Sequence, residues 1–154
     1  MFRDSEIADD IRANMVGWRH DLHANPETAF EEVRTADIVA ERLKSFGIEV
    51  HRGLAKTGVV GVLRSGKSKR AIGLRADMDA LDVHETNDFH HKSTIPGKMH
   101  ACGHDGHTVM LLGAAKYLAP DKRLAAVDRL AVLAGGRLPS DLMMTSAHVA
   151  QLHR

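Results

Sequence analysis

Apolar residues recur at Ile7, Ile11, Met15, Trp18 and Leu22, at spacings of four and three that place them on one helical face. Asn25-Pro26 ends this first predicted helix. A second is predicted over about residues 28–46: Thr28 with Glu31 three residues on has the form of a capping box. Ala36, Val39, Leu43 and Phe46 make its apolar face, and Gly47 stops it. The period then shortens. Residues 48–51 read as a short strand, residues 58–63 as an apolar, β-branched strand, and residues 71–75 as a third, with turn chemistry at residues 65–68 that predicts a hairpin. The run from Val109 to Leu118 predicts a mostly buried helix closed by Pro120. Leu124, Val127, Leu130 and Leu133 follow at helical spacing, then Gly135-Gly136 and a possible short helix over residues 140–151. Helices and then strands predict an α/β sandwich with an incomplete sheet and a helical C-terminal tail.

Composition narrows the function classes. A chain of 154 residues supports one core. With 21 basic and 20 acidic side chains, no basic run interleaved with aromatics and no long apolar stretch, neither nucleic acid nor membrane is an expected partner. The single cysteine cannot form an internal disulfide, and no secretory leader is evident, so a reducing, cytoplasmic setting is expected.

The chemistry concentrates in residues 96–107, PGKMHACGHDGH. Cys102 and His104 stand two apart across a glycine, so a soft thiolate and a neutral imidazole can fold inward onto one divalent ion. This stretch is expected in the loop leading into the Val109–Leu118 helix, whose unsatisfied N–H groups suit a carboxylate ligand or a substrate oxyanion. His107 could reach the ion from the first turn or bond to backbone. Upstream, Asp77 and Asp79 follow an apolar strand, where α/β sheets gather ligands, and share one face if the chain stays extended. Alternatively they merely cap the strand. His84, His90 and His91 read as a solvated loop, and His148 and His153 as surface residues.

Four runs carry a resemblance: WRHDLHANPE at residues 18–27, TGVVG at 57–61, LRADMDAL at 74–81 and GKMHACGHDGH at 97–107. In this order they resemble the opening of the metal-dependent amidohydrolases, the family of hippurate hydrolase, N-acyl-amino-acid amidohydrolases and auxin-conjugate hydrolases, related to zinc carboxypeptidases and aminoacylases. The resemblance implies part of the α/β/α sandwich of a zinc-exopeptidase-like catalytic domain over residues 1–119. Residues 120–154 are then a helical tail outside the family, and the family's dimerisation domain is absent. It further implies a small-molecule N-acyl amino acid substrate and two divalent ions, zinc or manganese, of which one or a partial complement is expected here. Cys102 and His104 match metal ligands, and Asp79 the aspartate that orients a metal-bound group. Asp77, Asp105 and His107 are candidates for supporting roles.

There are departures. The family continues into a paired glutamate, one member binding metal and the other serving as general base, yet no glutamate follows Glu85 here. The only adjacent pair, Glu31-Glu32, is expected on a surface helix. Asp82 stands where the family usually has proline. The tail reads as a foreign continuation, from truncation or a frame change, so impaired turnover is expected. Two other readings stay open: a non-catalytic remnant with a residual metal half-site, and a hydrolase using Cys102 as nucleophile with His104 or His107 as base.

Overall fold

The computed structural model describes residues 4–64, 71–119 and 129–134. Seven elements follow in chain order: α1 (Asp4–Ala24), α2 (Val33–Ser45), β1 (Glu49–Leu54), β2 (Gly58–Arg64), β3 (Ile72–Ala76), α3 (His104–Leu118) and β4 (Arg129–Ala134). The apolar stripe of α1 buries Ile11, Trp18 and Leu22 as its spacing predicts. His23, one residue past Leu22, is buried as well.

The start of α2 differs from expectation. Thr28 pairs with Ala80 in an isolated parallel bridge, its hydroxyl donates to the Glu31 carboxylate (2.9 Å), and Phe30 adopts φ 66°, which no helix propagates. The cap comes from Glu27 instead. Its carboxylate accepts from the backbone N–H of Arg34 (3.0 Å) and Thr35 (2.7 Å) and from the Thr35 hydroxyl (2.8 Å), a negative charge at the positive end of the helix. Nor are both adjacent glutamates on the surface. Glu31 is exposed, but Glu32 is fully buried and accepts from the Thr57 hydroxyl at 2.7 Å.

The strands form one sheet in the order β1-β2-β4-β3. The hairpin lies between β1 and β2, turning through Ala55 and Lys56 at positive φ, not between β2 and β3. β4 separates those two, antiparallel to β2 and parallel to β3. Leu130 and Leu133, assigned to a helix by their spacing, therefore lie in a strand. The five-residue apolar run 130–134 fits either period, and the facing edges of β2 and β3 offer a full ladder of backbone partners that a short helix lacks. The remainder of the expected tail lies outside the described residues, as does the turn at residues 65–68. Among the described residues no helix is long and apolar enough to cross a membrane.

Strand β2 is buried along nearly its whole length, under a core that joins Leu22, Val39, Leu43, Val59, Met78 and Leu112. Helix α2 reaches β2 closely because Gly61 lacks a side chain: a Cβ there would stand 3.1 Å from both Leu43 Cδ1 and Ile48 Cγ2. Gly113 does the same where α3 meets α1, a Cβ falling 2.5 Å from Met15 Sδ. The unit β3–α3–β4 is a parallel crossover, and it carries the site at the carboxyl end of β3.

Candidate functional site

Strand β3 ends at Ala76, but its alternation persists. Ala76, Met78 and Ala80 are buried while Asp77 and Asp79 are half-buried, so burial of the apolar partners turns both carboxylates the same way. Facing them is the first turn of α3. Gly103, at φ 80°, reverses the chain just before it, so the helix begins at His104 and not after Gly106. His104, Asp105 and His107 are therefore helical residues, not loop residues as expected.

The two aspartates converge on one ring. His104 Nδ1 lies 2.9 Å from both Asp79 Oδ1 and the Asp79 carbonyl oxygen, and Nε2 lies 3.8 Å from Asp77 Oδ2. Two acceptors at Nδ1 place its hydrogen there and leave Nε2 with its lone pair directed outward, the usual way a carboxylate prepares a histidine for a metal. Asp77 also pairs with Arg75, and its carbonyl accepts from the Thr108 hydroxyl at 2.9 Å, tying the strand end to the helix. The His107 ring sits 5.5 Å from that of His104. Donor atoms of Asp77, His104 and His107 all lie within 4.8 Å of one another. Cys102 is exposed in the preceding turn and lies outside this group. No ring nitrogen among the described residues hydrogen-bonds its thiol.

Asp105 faces the other way, into the protein. Its carboxylate is buried, accepts from Arg19 Nε at 3.2 Å and lies 2.8 Å from His23 Nδ1. Burial works to raise its pKa, but the bond from His23, the Gly106 N–H and the charges of His100 and Arg19 hold it below the usual carboxylate range. The second nitrogen of His23 is 3.1 Å from Glu85 Oε1. Glu85 also accepts from Asn87 (2.9 Å) and the Ser93 N–H (2.5 Å); against the opposing effect of burial, these bonds bring its pKa down to about 2. The chain Glu85–His23–Asp105 thus anchors the first turn of α3 to α1 and to the loop after β3.

Several of these groups were not legible in the sequence. His23 has the signal of lying one helical turn beyond His20, but its partners come from distant segments. His100 is buried with neither ring nitrogen partnered, and burial pushes its pKa below the ordinary imidazole value. His84 and His90 are exposed loop residues as expected, while the half-buried His91 stacks on His20 of α1 and His90 crosses that pair.

Residues 73–134 match the sequence model of peptidase family M20/M25/M40, so the match extends through β4 into the region expected to lie outside the family. The chain is 54% identical over 110 residues to a hippurate hydrolase of Campylobacter jejuni, covering 71% of this chain and 29% of that protein. It is 49% identical over 111 residues to an N-acyl-L-amino acid amidohydrolase of Geobacillus stearothermophilus, covering 71% and 30%. In structure it resembles a dinuclear metal-binding peptidase of the M20 family from Bacillus subtilis, with a TM-score of 0.76 and 32% identity, over 81% of this chain and 35% of that one. The chain thus spans less than a third of the length of these curated relatives.

Proposed function

Over residues 73–134 the chain belongs to peptidase family M20/M25/M40, and from that premise we propose that it forms the metal-binding part of an amidohydrolase acting on N-acyl amino acids. Relatives that are a hippurate hydrolase and an N-acyl-L-amino acid amidohydrolase support this reading. The observation that carries it is the convergence of Asp77 and Asp79 on the two ring nitrogens of His104. The donor set fits a divalent ion: one imidazole held in the ligating tautomer, a second imidazole and a carboxylate, close together and partly open to solvent.

In this reading His104, Asp77 and His107 hold the ion and Asp79 orients the His104 ring. Cys102 is proposed as a further ligand on its two-residue spacing from His104, and a thiolate there favours zinc over manganese. When bound, such an ion supplies Lewis acidity that polarises an amide carbonyl and acidifies water. Asp105 acts at a distance, holding the turn in place through His23. Asp77 is engaged by Arg75 and Asp79 by His104, so neither is free to shuttle a proton. A small-molecule substrate and a cytoplasmic setting complete the reading.

The test is hydrolysis of hippurate by the purified chain loaded with zinc or manganese, beside metal stoichiometry. Loss of one equivalent of metal in His104→Ala, and with it of any hydrolysis, is expected. Occupancy indifferent to His104→Ala contradicts the reading.

A further inference from the structure

A second gathering of ring nitrogens shares no residue with the first and does not depend on the reading above. His20 projects from α1, and His90 and His91 come from the loop after β3. Thr94 fastens that loop to the end of α1, its N–H and hydroxyl both donating to the Ala24 carbonyl at 2.8 and 2.7 Å. Donor atoms of the three histidines lie within 4.8 Å of one another. The rings of His20 and His91 stack at 3.7 Å with 11° between their planes, and His90 crosses them at 84° and 75°. Phe89 closes the other side of His91 at 4.3 Å.

This arrangement lacks what ordinarily explains a clustered histidine. Among the described residues no acceptor or donor satisfies the three rings, and His91 Nδ1 is buried without a partner. The charged and titratable groups acting on His91 are His20, His90, His23 and Arg19, every one of them basic. Burial first, and then these neighbours, push its pKa below the usual imidazole value, so the ring keeps its lone pair at neutral pH.

We propose that His20, His90 and His91 form a second metal site, taking a borderline transition-metal ion such as Zn²⁺, Cu²⁺ or Ni²⁺, with solvent completing its coordination. An all-nitrogen donor set selects these ions over calcium and magnesium, which require oxygen. With bonds of 2.0–2.1 Å, a tetrahedral ion sets its ligand nitrogens about 3.4 Å apart. The rings must therefore tilt inward from their present spacing. Parallel stacking keeps the lone pairs of His20 and His91 in separate planes, so the ion draws these ring edges together while the exposed His90 swings to meet it.

The test uses the full chain carrying Cys102→Ser and His104→Ala, titrated with Co²⁺ and followed by absorption. One equivalent should bind with visible d–d bands and no near-ultraviolet thiolate charge-transfer band. Adding His90→Ala should weaken that binding at least tenfold. No stoichiometric binding, or binding unchanged by His90→Ala, overturns the proposal. Should the double variant fail to fold, zinc stoichiometry of the unsubstituted chain decides instead: His90→Ala removes one equivalent if the site exists, and an unchanged count refutes it.

Discussion

Two histidine clusters stand among the described residues, and they differ in their company. The ring of His104 has a carboxylate at each nitrogen, whereas among the described residues His20, His90 and His91 have one another, the ring of His23 and the aromatic Phe89. In the first, Asp79 fixes the tautomer and Asp77 brings negative charge, so an ion meets ligands already oriented and a field already favourable. In the second, burial and the basic groups around it lower the pKa of His91, and no hydrogen bond fixes the direction of the three rings. The difference teaches that histidine density alone does not define a metal centre; what fixes the rings does. The first cluster should bind tightly and depend on its aspartates, and the second should bind more weakly and depend on the rings alone.

His104→Ala should produce the largest change. It removes the ring on which both aspartates converge, and affinity at this cluster should fall by well over a hundredfold in calorimetric titration. His90→Ala should leave that affinity unaltered; if it weakened the first cluster equally, the two would have to be treated as one site. Next comes Asp105→Ala, which strips a buried carboxylate from His23 and Arg19 and should lower stability by about 3 kcal/mol in urea unfolding. Asp79→Asn keeps the shape but loses the charge that orients His104. It should reduce affinity by about 10- to 100-fold, whereas no aspartate substitution should affect binding by His20, His90 and His91.

Acid provides a smaller test. The Glu85 carboxyl has a folded-state pKa of about 2 against an ordinary 4.5, so its contribution to stability is complete above pH 4.5 and is lost as pH falls toward 2. Unfolding free energy of the unsubstituted chain should drop across that window, and Glu85→Gln should flatten the drop while lowering stability at neutral pH. The smallest effect belongs to His90→Ala on stability. An exposed ring with no hydrogen bond should change unfolding free energy by less than about 0.5 kcal/mol.

Local pattern carried much of the fold. The stripe on α1, the β-branched run of β2 and the apolar stretch in α3 were legible because each element satisfies its own period. Asp77 and Asp79 were legible as a pair because two-residue alternation survives past the strand end. Long-range partners were not. Glu27 caps α2 only because the chain folds back at Phe30, and Glu32 is buried only because Thr57 arrives from β2 to satisfy it. Leu130 and Leu133 fit a helical period as well as a strand, and the facing edges of β2 and β3 decided the outcome. His23 and the His90-His91 pair depend on a loop whose path across α1 is set by Thr94 and Glu85, bonds between segments far apart in sequence. The motif residues Cys102 and His104 were conspicuous by type. Their relation was less so, because the helix begins between them and separates an exposed thiol from a half-buried ring.

The account rests on Nε2 of His104 being the atom that meets an ion while Nδ1 stays protonated against Asp79. Long-range ¹H–¹⁵N correlation spectra of the imidazoles, recorded as one equivalent of Zn²⁺ is added, read both nitrogens at once. The Nε2 resonance of His104 should move to the position of a metal-bound nitrogen while Nδ1 keeps its proton. A His104 ring that binds through Nδ1, or that does not respond to the ion, would contradict the account.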